Sequence, residues 1–318
     1  METNFIPMIE LFLRVLDFAI PILFMIALGL FGAGVIVEMG LTQGLSRLAK
    51  PIFRFTRLPE ACASAFVISL GSAVAANSMV AKFRDDGCLK DREVALCAIL
   101  NSIPVYVREL FTYQIPIVIP ALGLAVGGFY ALVFIATALF KITVVVILSR
   151  VLLDANICQV PAGPPPEKIS FRDALLKAVK KGRRLFFKIA TIYLFMTTLV
   201  FALKDRGAFE VFNVLPLADS FGIPPESIVP LTTYVASPIA GISLLGPMIH
   251  SGEITAIQSM IVLMLGSMFM LPFFAMRSLL PRYIAIFGPH LGPKIVVFST
   301  GMSIMVRFFI LVVLLKVA

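Results

Sequence analysis

Apolar positions in this chain run in long blocks instead of alternating. Six blocks, near 11–37, 93–113, 124–153, 184–204, 255–280 and 292–317, are each long enough for a helix to cross a hydrocarbon layer of about 30 Å, which takes about 20 residues. Two further blocks, 60–83 and 226–249, have the length but are interrupted. The first carries Leu70-Gly71-Ser72 at its centre with Asn77-Ser78 after it, and the second carries Ser237-Pro238, Gly241 and Ser243. Each is expected to form two short helices meeting at the interruption. Ten residues at about 1.5 Å rise reach only to the bilayer midplane, so each block predicts a re-entrant hairpin.

Charge between the blocks bears on their direction. Residues 39–59 hold Arg47, Lys50, Arg54 and Arg57 with no acid, and 154–188 hold eight basic residues against three acids. Both loops should face the cytoplasm. That is possible only if 60–83 returns to its own side, leaving two crossings between them. The same scheme places 205–225 and both termini outside, where Asp205, Glu210 and Asp219 outnumber Arg206.

Several landmarks recur at one spacing. Pro59-Glu60 returns as Pro225-Glu226 and Lys141 as Arg307, both 166 residues on; Gly87, Ser102 and Gly123 return as Gly252, Ser267 and Gly288, all 165 on. Three crossings per half is an odd number, so the second half is expected upside-down relative to the first. Inverted repeats with helices broken at the midplane are an architecture of secondary transporters. The expected fold is therefore an all-α integral membrane protein. Residues 1–153 form one repeat and 184–318 the second, joined by a basic, proline-rich cytoplasmic linker at 154–183.

Composition fits this picture. Of 318 residues, 59% are hydrophobic and 14% charged, against about 25% charged in soluble domains, and the mean hydropathy is +1.00. The net charge of +9 is explained by cytoplasmic loops, so no nucleic-acid partner is invoked. Cys62, Cys88, Cys97 and Cys158 show no metal-type spacing and are expected as apolar fillers. No Walker, HExxH or GxSxG motif and no nucleophile–base constellation is present, so neither enzyme chemistry nor a bound cofactor is expected.

The stretch from Gly71 through Phe83, Gly-Ser-Ala-Val-Ala-Ala-Asn-Ser-Met-Val-Ala-Lys-Phe, with the helix Val94 to Pro104 after it, resembles the nucleoside-recognition (Gate) domain. That domain occurs in concentrative nucleoside transporters, ferrous-iron permeases and spore-maturation membrane proteins. Val235 to Gly246 is similar to the second hairpin of the nucleoside transporters. The resemblance implies a transport core with two re-entrant hairpins, a midplane solute site and alternating access. The sequence departs from it where nucleoside transporters carry Gln and Glu beside the first hairpin's glycine. Ser72 and Val74 stand there instead, and Ser237 replaces an Asn of the second hairpin.

Chemistry-bearing candidates follow. Lys141 and Arg307 lie deep in apolar blocks, where ionisable groups are costly and usually functional. With Arg108 they outnumber the one neighbouring acid, Glu109. Ser72 and Ser237 stand where half-helices begin, which aims partial positive charge at the midplane. Together these favour an anionic or strongly polar solute. Its expected contacts are Gly71, Ser72, Asn77, Ser78, Asn101, Ser102, Ser237, Gly241, Ser243, Lys141 and Arg307. Asn101-Ser102 before Pro104 should break a helix and free carbonyls, a possible Na⁺ position. The reading is a permease moving a small polar solute, anionic or nucleoside-like, coupled to Na⁺ or H⁺, with a second copy of the chain as a candidate partner. The alternative is a non-transporting membrane protein that uses the same fold in assembly or signalling.

Overall fold

A computed structural model describes residues 5–38, 53–154, 170–205 and 221–317, and every regular element among them is helical. In chain order these are α1 (Phe5–Glu38), α2 (Glu60–Ser69), α3 (Ala73–Asp85), α4 (Asp91–Leu100), α5 (Ile103–Glu109), a π-helical turn over Leu110–Val118, α6 (Ile119–Leu152) and α7 (Phe171–Asp205). Then come α8 (Ile228–Ala236), α9 (Pro238–His250), α10 (Ala256–Phe274), a second π turn over Ala275–Leu279, and α11 (Leu280–Val317).

Both interrupted blocks form helical hairpins, α2–α3 and α8–α9, whose arms pack on each other. The second break has a clear local cause. Proline drives the residue before it out of the helical region, and Ser237 is extended at φ −150°, ψ 102°. Pro238 then supplies a helical φ at the first position of α9, and the Ser237 hydroxyl accepts from the Ala240 N–H at 3.5 Å. Serine cap and first-turn proline thus end one helix and start the next.

Two apolar helical stretches, Asp91–Leu152 and Ala256–Val317, are long enough to cross a membrane. Both hold 62 residues, and their first and last positions are each 165 apart. The first opens with Glu93 accepting from the Lys90 N–H at 2.7 Å, and the second on a full capping box, with Gln258 accepting from the Thr255 N–H at 3.0 Å. The π turns begin at 110 and 275, also 165 apart.

Neither stretch is straight. Gly123 (φ 80°, ψ 165°) and Gly288 (φ 85°, ψ 170°) interrupt them in a backbone region that L-residues with a side chain avoid. Four residues later the chain has doubled back. A Cβ on Gly127 would lie 2.6 Å from the Ile119 Cα, and one on Gly292 2.6 Å from the Tyr283 carbonyl oxygen. In a straight helix residues eight apart are about 12 Å apart. The two GxxxG patterns are therefore reversal points: the first glycine turns the chain and the second lets the arms touch. Each stretch becomes two arms, 91–122 with 124–152 and 256–287 with 289–317. Gly127→Ala is expected to force the arms apart and destabilise by about 1–3 kcal/mol, read as a lower melting temperature. An unchanged melt would show that the reversal tolerates a side chain.

Two expectations need correction. Residues 171–183, assigned to the linker between the two halves, form the first turns of α7, while 155–169 lie outside the described residues. The basic face there is helical because no Pro or Gly occurs between 171 and 181 to stop it. The cysteines are not all simple fillers, since Cys62 and Cys97 form a disulfide tying α2 to α4, with Cα atoms 5.7 Å apart. The two cysteines stand 35 residues apart on either side of the first hairpin's second arm, and no spacing motif marks that pairing. Asn101 and Ser102 do part α4 from α5, as their position before Pro104 predicts.

Burial divides into two main apolar cores, and both mix the two halves of the sequence. One joins Val118, Leu122, Val126 and Tyr130 to Tyr234, Leu245 and Met264; the other joins Phe66, Val94, Ile99 and Val145 to Phe287, Leu291 and Ile295. On the arms after the reversals, large apolar side chains such as Leu124, Leu132, Leu139, Val151, Val297, Phe309 and Val313 point outward.

Candidate functional site

The arms 124–152 and 289–317 carry the polar residues that meet where the two cores adjoin. Lys141 and Arg307 are each only 2% exposed. Lys141 Nζ donates to Ser299 Oγ at 2.9 Å and to the Tyr106 hydroxyl at 3.3 Å, and sits 4.9 Å above the Tyr106 ring centre. Arg307 Nε donates to Ser267 Oγ at 3.1 Å. Its Nη1 donates to the Ser303 carbonyl at 2.9 Å and to Thr137 Oγ1 at 3.4 Å. The Arg307 guanidinium also lies 5.6 Å from the Phe134 ring centre, a geometry in which the ring face attracts the cation. Tyr106 and Ser303 share a hydrogen bond at 3.0 Å, so one chain of polar contacts joins both cations.

Repeat symmetry explains much of this arrangement. Thr137 and Ser303 each stand one turn before the cation on their arm, and each hydroxyl bonds the carbonyl four residues back, Val133 and Ser299. Ser102 and Ser267 likewise bond the carbonyls of Ile99 and Met264, three residues back. Each cation then crosses to the other half, Lys141 to Ser299 and Arg307 to Thr137. Among the described residues neither cation forms an ion pair with a carboxylate. Glu109, the acid expected nearby, lies within electrostatic range of Arg307 without bonding it.

The other expected site residues fall into three groups. Asn77 and Asn101 meet between α3 and the end of α4, where Asn101 Nδ2 donates to Asn77 Oδ1 at 3.0 Å. Both are buried, and Asn101 Oδ1 has no protein partner. Gly71, Ser72 and Ser78 lie exposed on the first hairpin, with Arg108 Nη1 reaching the Gly71 carbonyl at 3.5 Å. Ser237 caps α9. Gly241 and Ser243 are buried in packing, Gly241 against Tyr234 and Ser243 through its bond to the Ile239 carbonyl. The structure thus unites Lys141 with Arg307 and Asn77 with Asn101, and leaves the other hairpin residues outside both pairs.

Sequence reading missed Tyr106, Thr137, Ser267, Ser299 and Ser303 as partners of the cations. The repeat could have found two of them, because Thr137 and Ser303 are related by the same 166-residue shift as Lys141 and Arg307. It also missed a second buried polar group. Tyr130 and Tyr234 bond through their hydroxyls at 2.5 Å, and the Tyr113 hydroxyl and Gln114 amide on the first π turn have no protein partner.

The chain is similar along nearly its whole length to proteins of Methanocaldococcus jannaschii. It is 22% identical to uncharacterized protein MJ0880 over 95% of this chain and 98% of that one. It is 24% identical to uncharacterized protein MJ0871 over 89% and 88%, and 23% identical to uncharacterized protein MJ1556 over 94% and 95%. No family model matches the chain, and no solved structure does. The similarity spans 88% or more of every chain compared.

Proposed function

We propose that this protein is a membrane permease that moves a small polar solute by alternating access, with two inverted halves and the solute held near Lys141 and Arg307. The observation that carries the reading is the cation cluster. Two buried positive charges, contributed by matching positions of the two halves and bonded across them, stand between two apolar cores whose outward faces are also apolar. A buried charge without a counter-ion is costly, and inside a membrane such groups line solute or ion pathways. The junction of two repeats is where relative movement would open the site to either side.

The Gate-like motifs fit the same reading. The hairpins supply broken helices, and the orphaned Asn101 Oδ1, beside the gap between α4 and α5, is an oxygen that a coupling Na⁺ could use. Two measurements test the proposal. Asp86 and Ser251 are matching turn positions 165 apart; single cysteines there should label from opposite sides of the membrane, Asp86 from the cytoplasm. Labelling from one side would eliminate the inverted arrangement. Purified protein in proteoliposomes should also exchange labelled solute in counterflow, assayed with phosphate, succinate and uridine under Na⁺ or proton gradients. Absence of exchange for all three would turn the reading toward assembly or signalling.

A further inference from the structure

The hydrogen-bond inventory of the cluster narrows what it can hold. Lysine has three N–H donors and arginine five. Lys141 uses two, on Ser299 and Tyr106, and Arg307 uses three, on Ser267, Thr137 and the Ser303 carbonyl. Three N–H donors remain, one on Lys141 Nζ and two on Arg307 Nη2, and no described residue accepts from them.

The surrounding hydroxyls have little left to offer. Thr137, Ser267 and Ser303 donate to the carbonyls of Val133, Met264 and Ser299. With the Ser303 proton committed there, Tyr106 donates to Ser303 and accepts from Lys141. The Thr137 and Ser267 oxygens already receive N–H groups, and the Ser303 oxygen receives the Tyr106 O–H. What the cluster presents to a ligand is therefore mainly donor, carried on two cations that form no ion pair with a carboxylate among the described residues. A nucleoside, which brings N–H and O–H donors of its own, would meet only the second lone pairs of hydroxyls that already accept a bond within the cluster.

We infer that the Lys141–Arg307 cluster is a binding site for a small soluble oxyanion of the phosphate, sulfate or carboxylate class. The anion accepts from Lys141 Nζ and Arg307 Nη2 and neutralises charge contributed by both halves. This rests on reading the cluster as the solute site. Guanidinium and ammonium serve the purpose differently: Arg307 offers a planar pair of N–H groups, Lys141 a single point charge.

Binding is measured on protein in maltoside detergent, by isothermal titration and by melting temperature, with phosphate, sulfate and succinate against chloride at equal ionic strength. At least one oxyanion should bind and raise the melting temperature, as mass action requires. Arg307→Met and Lys141→Met should each weaken it roughly tenfold or more, the loss of a charge-assisted bond, and Arg307→Lys should recover part of the affinity. Binding retained by both Met variants, or stabilisation by uridine alone, would overturn the oxyanion assignment. So would displacement of the oxyanion by micellar phosphatidylglycerol together with tighter binding of that lipid, which would make a headgroup the occupant. The permease reading fails separately. Oxyanion binding without counterflow leaves the site and removes transport, while uridine counterflow without oxyanion binding leaves transport and removes the site.

Discussion

Gly241→Leu is expected to unfold the second hairpin, whereas Gly71→Leu in the first should leave the protein folded. Both glycines are hairpin residues, yet they meet different surroundings. A Cβ on Gly241 would stand 2.7 Å from the Tyr234 backbone nitrogen, and one on Gly266 would stand 3.0 Å from the Tyr234 ring. Tyr234 is thus wedged between α9 and α10, and its hydroxyl is pinned to Tyr130 from the other half. No side chain fits at 241 unless α8 and α9 separate, and overpacking against backbone of this kind costs roughly 3 kcal/mol or more. A Cβ on Gly71 meets nothing nearer than the Ile68 carbonyl at 3.7 Å. On the permease reading, its bulk would instead obstruct the exposed hairpin turn and suppress counterflow. Melting temperature and counterflow for both variants check the contrast. Equal stability in the two would show that Tyr234 yields, and undiminished exchange by Gly71→Leu would make the first hairpin turn structural.

The elements most legible in the sequence were those with local causes. Ser237-Pro238 announces its break because proline excludes the preceding backbone from the helix, and Pro104 marks the α4–α5 junction because it has no N–H with which to continue the helical ladder. Shared landmarks 165 or 166 residues apart likewise fall on matching places in the structure, at the turns of Gly87 and Gly252 and the reversals of Gly123 and Gly288. The buried position of Lys141 and Arg307 followed from depth within apolar blocks. Their partners did not, because Ser and Thr in a helix ordinarily bond their own backbone, and whether such a hydroxyl also receives a cation depends on the neighbouring helix. The role of Gly241 was hidden for a similar reason: glycine looks the same in sequence whether it turns the chain, admits a ligand or admits a tyrosine. Tyr113 and Gln114 escaped notice because the π turn that carries them leaves no periodic signature in an apolar run.

Lys141→Met and Arg307→Met should separate stability from solute handling. Had either cation been half of a buried ion pair, its removal would strand a carboxylate and cost about 3–5 kcal/mol. Their partners are instead four hydroxyls and one carbonyl, and two of those hydroxyls, Thr137 and Ser267, keep a backbone carbonyl to bond after the cation is gone. Methionine fills the volume and relieves the repulsion between two positive charges held by one polar chain. Each variant is therefore expected to melt within about 1 kcal/mol of the parent, Lys141→Met at or above it, because Tyr106 retains its bond to Ser303. Counterflow should nevertheless fall by roughly ten- to a hundredfold, the value of one charge-assisted hydrogen bond to the moving solute. The measurement is chemical or thermal unfolding in detergent alongside counterflow per folded molecule. A stability loss of several kcal/mol with counterflow per folded molecule unchanged would make Lys141 and Arg307 fasteners between the halves and remove them from the solute path.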